Sequence, residues 1–183
     1  MSIQRNGKYS CMEWERRFLV RALPMELVVA GYRWRISDRY LPGTRLRLRR
    51  MEAPSGVEVH WKLTQKFQEE GMAGRRTTIT NIYLSEAEYE SLQVLGGNEI
   101  RKDRYLFEYR NNVFGFDVFA GRHRGLILAE VEAESDTELD RIPIPPFLLE
   151  EVTEEPFFTG GKLAEVPTTD FQRTLQLRLG RLL

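Results

Sequence analysis

Short runs in which every second residue is charged recur along this chain, and they constrain its fold more than any other feature. The first run is Glu13-Trp14-Glu15-Arg16-Arg17, directly before the apolar Phe18-Leu19-Val20. In a β-strand, side chains two positions apart share a face and lie roughly 6.7 Å from one another. The run therefore predicts a strand that presents Glu13, Glu15 and Arg17 on one wall, a set suited to holding a metal ion and an anion.

The same alternation returns in six later segments, whose shared faces carry mostly charged side chains. These faces are Arg33 and Arg35; Arg45, Arg47 and Arg49; Lys62, Thr64 and Lys66; Arg76, Thr78 and Thr80; Lys102 and Arg104; and Glu130, Glu132 and Glu134. Any one of them has a simpler interpretation, because half-exposed antiparallel sheets alternate in this way and carry cross-strand ion pairs. Taken together, the acids lie on the first and last segments and the bases on the middle ones. If the sheet closes on itself, these charges converge on one space.

Strand-like runs dominate the chain. Strands are predicted at 12–21, 32–40, 45–51, 57–67, 75–84, 99–110, 113–120 and 126–134, with turn signals such as Leu41-Pro42-Gly43 and a loop at 70–74 between them. Helical segments are predicted at 25–30, from the serine cap at Ser85 to Leu95, and at 168–183. About eight strands joined by short turns indicate a meandering sheet or a barrel.

Length and charge bound the classes of protein that fit. A chain of 183 residues corresponds to one domain, or one domain with a small appendage. The 27 basic and 27 acidic residues cancel, which argues against a nucleic-acid partner, so any anion must be bound by locally placed Arg and Lys. Cys11 is the single cysteine, and neither a signal peptide nor a long apolar span is evident. We expect a cytoplasmic protein without a membrane partner.

A closed space with this charge pattern suits a polyphosphate. Arg and Lys bind phosphate oxygens through charge-assisted hydrogen bonds. Carboxylates do not contact phosphate directly, so glutamate pairs in the same space imply bridging divalent cations such as Mg²⁺.

At these residues the chain resembles the CYTH superfamily, also called the triphosphate tunnel metalloenzymes. That family opens with Glu-x-Glu-x-Lys followed by Phe-Leu-Val, which Glu13, Glu15 and Arg17 match here. Further segments resemble family motifs in order, namely Tyr40-Leu41-Pro42-Gly43-Thr44-Arg45-Leu46-Arg47-Leu48-Arg49, Leu63-Thr64-Gln65-Lys66, Arg101-Lys102-Asp103-Arg104-Tyr105, Phe116-Asp117-Val118-Phe119-Ala120-Gly121, Gly125-Leu126-Ile127-Leu128-Ala129-Glu130-Val131-Glu132 and Glu151-Val152-Thr153. The resemblance spans about residues 12 to 165, and its ordered set of motifs is far more specific than any one of them.

The resemblance implies an α+β, mainly β fold, in which a closed eight-stranded antiparallel β-barrel forms a triphosphate tunnel with flanking helices. The tunnel barrel would occupy residues 10–166, and residues 167–183 would form a helix that packs on the barrel or caps it. An exposed apolar outer face could support a homodimer.

The resemblance also implies the site. Glu13, Glu15, Arg17 and Lys66 would be catalytic, and Mg²⁺ or Mn²⁺ would be held by Glu13, Glu15, Glu130 and Glu132, with Asp117 as a candidate fifth ligand. The triphosphate-binding residues would be Arg17, Arg45, Arg47, Arg49, Lys66, Arg76, Lys102 and Arg104. The implied activity is hydrolysis of a triphosphate, with inorganic tripolyphosphate favoured as the substrate.

Two departures from the family pattern keep other functions open. Arg17 replaces a lysine, and Thr78 and Thr80 stand where the family usually carries Glu-x-Glu. A protein that binds triphosphate or polyphosphate without hydrolysing it is therefore an alternative. Cyclisation of ATP, as in class IV adenylate cyclases, is less favoured because no His-Phe pair precedes Glu13. The simplest alternative is a barrel whose charges form only surface ion pairs.

Overall fold

A computed structural model describes residues 10–31, 33–67 and 74–181 of the chain. Tyr32, most of the predicted loop at 70–74, and residues 182–183 of the predicted last helix lie outside the described residues. The strands of the described part are β1 Ser10–Leu19, β2 Arg33–Tyr40, β3 Leu46–Glu52, β4 Val59–Phe67, β5 Arg76–Leu84, β6 Asn98–Tyr109, β7 Asn112–Phe119, β8 Ile127–Ala133 and β9 Glu150–Glu151. Its helices are α1 Met25–Ala30, α2 Glu86–Leu92, α3 Asp136–Arg141, α4 Gly160–Glu165 and α5 Thr168–Arg181, with 3₁₀ turns at Gly121–His123 and Pro156–Phe158.

Eight of these strands close into an antiparallel barrel. The sheet order is β5-β4-β3-β2-β6-β7-β8-β1, and β1 also pairs with β5, which closes the ring. The short β9 adds to β1, with Glu150 opposite Leu19 and Glu151 opposite Phe18. The predicted closed eight-stranded antiparallel barrel, mainly β, is therefore confirmed, with β9 as one additional strand.

The register of the strands decides which side chains enter the barrel, because residues directly opposite each other in an antiparallel pair share a face. Glu13 lies opposite Thr77, Glu15 opposite Glu132, and Arg17 opposite Glu130. All of these side chains line the interior.

The same register overturns the predicted inner face of β5. Thr64 and Lys66 of β4 lie opposite Asn81 and Ile79, so the inner face of β5 carries Thr77, Ile79 and Asn81. The prediction that Arg76, Thr78 and Thr80 share that face is wrong. This strand still lacks the family's Glu-x-Glu pair, because the inner face of β5 carries no carboxylate between residues 77 and 81.

Arg33 and Arg35 are also placed outside the barrel. Arg33 pairs with Asp103 and Arg35 with Glu52, in ion pairs on the solvent side of the sheet. The inner face of β2 instead carries Asp38 and Tyr40.

Two apolar clusters hold the helices to the barrel. One contains Phe18, Phe114, Phe116 and Val131 from the strands, together with Leu139 of α3. The other packs the two C-terminal helices on the ends of the strands, through Leu19, Ile100, Phe119, Leu126, Leu128, Val152, Phe158, Leu163, Ala164, Phe171 and Leu175. The sequence did not predict the six-residue helices α3 and α4, whose buried Leu139 and Leu163 indicate that packing, more than intrinsic propensity, stabilises them.

Helix α2 forms where the sequence places it. Ser85 and Glu88 make a reciprocal capping box, in which each side chain accepts a hydrogen bond from the other residue's backbone N–H. The helix ends at Leu92 rather than at the predicted Leu95. Among the described residues, no helix is long and apolar enough to cross a membrane.

We expect Phe171→Ala to lower the free energy of unfolding by about 3–5 kcal/mol, because Phe171 is fully buried between α5 and the barrel. Leu177→Ala on the same helix is the control, since Leu177 is 58% exposed, and its cost should stay within about 0.5 kcal/mol. Urea denaturation measures both. Equal effects of the two substitutions would contradict the packing of α5 as part of the barrel core.

Candidate functional site

The barrel encloses a cavity of about 550 Å³ whose wall is densely charged. Eight basic side chains line it: Arg17, Arg45, Arg47, Arg49, Lys62, Lys66, Lys102 and Arg104. Five acidic side chains line it as well: Glu13, Glu15, Asp38, Glu130 and Glu132. If all of them are ionised, the wall carries an excess of positive charge, which favours an anionic ligand.

Three of the glutamates form a carboxylate cluster. Oxygens from Glu13 and Glu15 of β1 and from Glu132 of β8 all lie within 4.8 Å of one another. Glu15 is 5% exposed, whereas Glu132 reaches solvent. Hard divalent cations such as Mg²⁺ and Mn²⁺ take oxygen ligands, so this donor set fits such an ion.

The carboxylates of this cluster repel one another. Partial burial and the neighbouring carboxylates Glu13 and Glu130 raise the pKa of Glu132 to about 7. Arg104 opposes this rise but does not cancel it. A cation bound between the three carboxylates would remove their repulsion and favour the ionised form of Glu132.

Glu130 and Asp117, which the sequence grouped with the metal ligands, are instead engaged by bases. Glu130 accepts hydrogen bonds from Arg17 Nε at 3.0 Å and from Arg104 Nη2 at 2.6 Å. Burial opposes ionisation of Glu130, but Arg104 and Arg17 hold its pKa well below the usual value. Asp117 is fully buried and pairs with both Lys102 and Arg104. The structure thus brings together three of the five predicted metal ligands and separates these two.

Asp38 is a functional candidate that the sequence analysis missed. It is almost fully buried and accepts hydrogen bonds from Arg49 Nε at 2.6 Å and Arg49 Nη2 at 2.7 Å. Burial disfavours its charge, but Arg49 and Arg47 hold the pKa of Asp38 well below its usual range. The sequence did carry a signal for it. Asp38 shares a face of β2 with Ile36 and Tyr40, so an acid interrupts a face that is otherwise apolar or aromatic.

Other basic side chains face the cavity with little or no acidic pairing. Arg47 Nε is buried without a hydrogen-bond partner and lies 3.7 Å from Asp38 Oδ1. Arg45 lies over the Phe67 ring and Lys62 over the Tyr83 ring. Within the described ranges, no carboxylate oxygen lies within 4.0 Å of the Arg45 or Lys62 nitrogens. These three bases therefore retain donors for a ligand.

The other predicted phosphate-binding residues differ in their placement. Arg17, Arg49, Lys66, Lys102 and Arg104 all line the cavity. Arg76 does not: its guanidinium lies over the outward-facing Trp14 ring and donates to Met12 Sδ. Its predicted role is corrected by the register of β5, and Lys62 joins the cavity wall instead.

One end of the cavity is apolar. Ile100, Phe119, Leu128 and Phe158 line it there, and all four belong to the core beneath α4 and α5. Gly160 lies so close to Tyr40 that a Cβ at position 160 would collide with the phenol. The segment from Phe158 to Gly161 therefore packs tightly against this end of the barrel.

We expect the apparent affinity for Mn²⁺ to fall with decreasing pH below about 7, because the ion must displace the proton that Glu132 then carries. The decrease should approach about tenfold per pH unit, the limit for one competing proton. Isothermal titration calorimetry between pH 5.5 and 8 measures it. Glu132→Gln is the matched variant and should bind more weakly, with a flatter pH dependence. The same slope in both proteins would contradict the assignment of the proton to Glu132.

Known proteins resemble this chain in sequence and in fold. No family model matches the chain. An inorganic triphosphatase of Acetivibrio thermocellus is 28% identical over an alignment of 116 residues, with coverage of 58% of this chain and 72% of that protein. The crystal structure of the inorganic triphosphatase NE1496 is similar with a TM-score of 0.56 and 27% identity, over 85% of this chain and 95% of that one.

A second crystal structure, described as that of the hypothetical protein NE1496, has a TM-score of 0.55 and 30% identity over 84% of this chain and 98% of that one. The barrel of this chain agrees with its structural similarity to NE1496. The chain therefore belongs to the CYTH superfamily, the triphosphate tunnel metalloenzymes.

Proposed function

We propose that this protein is a metal-dependent triphosphatase that hydrolyses inorganic tripolyphosphate, with Mg²⁺ or Mn²⁺ as its cofactor. The observation that carries the proposal is the division of the cavity wall into a carboxylate cluster and a surrounding set of bases. A phosphate chain needs both, because its own charge must be matched by bases and by a cation that bridges it to carboxylates.

Arg45, Arg47 and Lys62 bind the phosphate oxygens in this proposal. They face the cavity and have no closer acidic partner than Asp38, at 3.7 Å from Arg47. Asp38 accepts two hydrogen bonds from Arg49, and this bidentate ion pair fixes the Arg49 side chain of β3 beside the ligand. A phosphate oxygen would also supply the acceptor that the buried Arg47 Nε lacks.

Glu13, Glu15 and Glu132 hold the cation. When bound, a divalent cation neutralises phosphate charge and orients a water molecule for in-line attack. Lys66 links the two parts of the site, since its Nζ lies 3.1 Å from Glu13 Oε2 and 3.9 Å from Glu15 Oε2. From this position it can contact the terminal phosphate as well as these two carboxylates.

The choice of inorganic tripolyphosphate rests on two observations. The relatives of comparable length are named inorganic triphosphatases. In addition, the apolar end of the cavity is packed beneath α4, with side chains that are at most 5% exposed. A compact, fully charged ligand suits the remaining charged part of the cavity best.

Binding of triphosphate without hydrolysis is the second candidate function. It is favoured by β5, whose inner face carries Thr77, Ile79 and Asn81 and so adds no carboxylate to the site. Any activation of the attacking water would then depend on β1 and β8 alone.

Release of phosphate from tripolyphosphate tests the proposal. We expect turnover that requires Mg²⁺ or Mn²⁺, and we expect the double variant Glu13→Ala, Glu15→Ala to lose at least about a hundredfold in kcat/KM. A bound cation supplies several kcal/mol of transition-state stabilisation, and each 1.4 kcal/mol is tenfold in rate.

Arg47→Gln and Arg35→Gln form a matched pair for the same assay. Both remove one arginine charge, but only Arg47 faces the cavity, whereas Arg35 is exposed on the outer surface. Arg47→Gln should weaken tripolyphosphate binding and Arg35→Gln should not. Tight binding with no phosphate release would contradict hydrolysis and favour the binding protein, and the absence of both would contradict both functions.

A further inference from the structure

The acidic side chains of the barrel interior fall into two groups that the sequence does not distinguish. Glu13, Glu15 and Glu132 form the carboxylate cluster, in which Glu132 has no ion pair to any described residue. Asp38, Asp117 and Glu130 lie outside that cluster, and each is bonded to at least one guanidinium, as Glu15 is to Arg17. The boundary between the two groups runs between Glu15 and Glu130.

Arg17 lies at that boundary. Its Nη2 donates to Glu15 Oε1, and its Nε donates to Glu130 Oε1 at 3.0 Å. The three side chains are 6–14% exposed, so water offers little alternative pairing. The second oxygen of Glu130 accepts from Arg104 Nη2, which leaves both oxygens of Glu130 bonded to guanidinium groups.

The backbone of Arg17 is also fixed. Its N–H donates to Thr153 Oγ1 at 2.9 Å, and its carbonyl accepts from the Val152 N–H at 2.8 Å. The segment that follows β9 thus anchors the residue from outside the barrel. Arg17 is therefore held at its backbone by Val152 and Thr153 and at its guanidinium by two carboxylates.

We propose that Arg17 is a positioning residue that holds Glu15 in the carboxylate cluster and withholds Glu130 from it, so that the cavity binds one divalent cation per chain. This rests on the proposed metal dependence of the same site. The positive charge of Arg17 occupies the space between Glu15 and Glu130 that a second cation would need. With Thr77, Ile79 and Asn81 on the neighbouring strand, no further acid on that face can compensate.

The same geometry explains why arginine suits position 17, where the family pattern has lysine. The planar guanidinium presents Nε and Nη2 in a fixed fork, so it can bond two carboxylates in different directions at once. A lysine ammonium is a single point charge on a flexible stem, and it holds two separated carboxylates less rigidly.

Titration of the apo protein with Mn²⁺, followed by the electron paramagnetic resonance signal of the free ion, tests the proposal by counting sites. The wild-type chain should bind one Mn²⁺. Glu132→Gln should weaken binding by at least about tenfold, since it removes a carboxylate ligand, whereas Glu130→Gln should leave one site and weaken it less, since Glu130 is linked to the cluster only through Arg17. The two substitutions are matched, because each replaces one interior glutamate of β8 by its amide.

Arg17→Met supplies the second test. It removes the charge but keeps an unbranched side chain, so Glu15 and Glu130 would face each other and could bind an additional cation. We expect the count to rise from one Mn²⁺ to two. Arg17→Lys should restore a count of one, because it returns a positive charge to the same space. Thermal melting in the absence of metal establishes that each variant is folded.

The outcomes separate this inference from the proposed function. Two Mn²⁺ ions in the wild-type chain would overturn the role of Arg17 and leave a metal-dependent triphosphatase standing. No bound Mn²⁺ would overturn both. If Arg17→Met does not fold, the glutamate pair decides, because equal losses in Glu130→Gln and Glu132→Gln would also overturn the inference.

Discussion

A charge that is buried must be paired, and this constraint organises the interior of the barrel. Asp117 is fully buried between Lys102 and Arg104; Arg104 also bonds Glu130, which in turn bonds Arg17. This series of ion pairs joins β6, β7, β8 and β1. Removing one member of such a pair typically costs about 3–5 kcal/mol, because the partner is left as an uncompensated buried charge. The side chains that face the cavity are therefore held in place before any ligand arrives.

Along the described part of the cavity wall, two groups are left without full compensation, and their locations define the site. Glu132 carries a raised pKa within the carboxylate cluster, and Arg47 Nε lacks a hydrogen-bond partner on the opposite, basic part of the wall. A divalent cation would satisfy the first and a phosphate oxygen the second. In this proposal each ligand neutralises the other's charge, so cation and polyphosphate should each strengthen the binding of the other.

Much of this arrangement could be predicted from the sequence, because a period of two in charged residues is visible without a structure. This period identified the strands and placed Glu13, Glu15 and Glu132 on inner faces. The inner face of β5 was assigned wrongly because polar residues occur at both alternations there, and the charge of Arg76 favoured the wrong one. Asp38 was missed for a similar reason, since the arginines of β2 lie on its outer face. That Glu130 is ion-paired and Glu132 is not depends on contacts between β1, β6 and β8, which no local pattern encodes.

A crystal structure of the protein soaked with Mn²⁺ and tripolyphosphate tests the central claim most directly, because anomalous scattering locates and counts the ions. The account predicts one manganese peak, coordinated by Glu13, Glu15 and Glu132, and a phosphate chain bonded to Arg45, Arg47 and Lys62. Manganese coordinated by Glu130 or Asp117, or a phosphate chain bound outside the barrel, would contradict it.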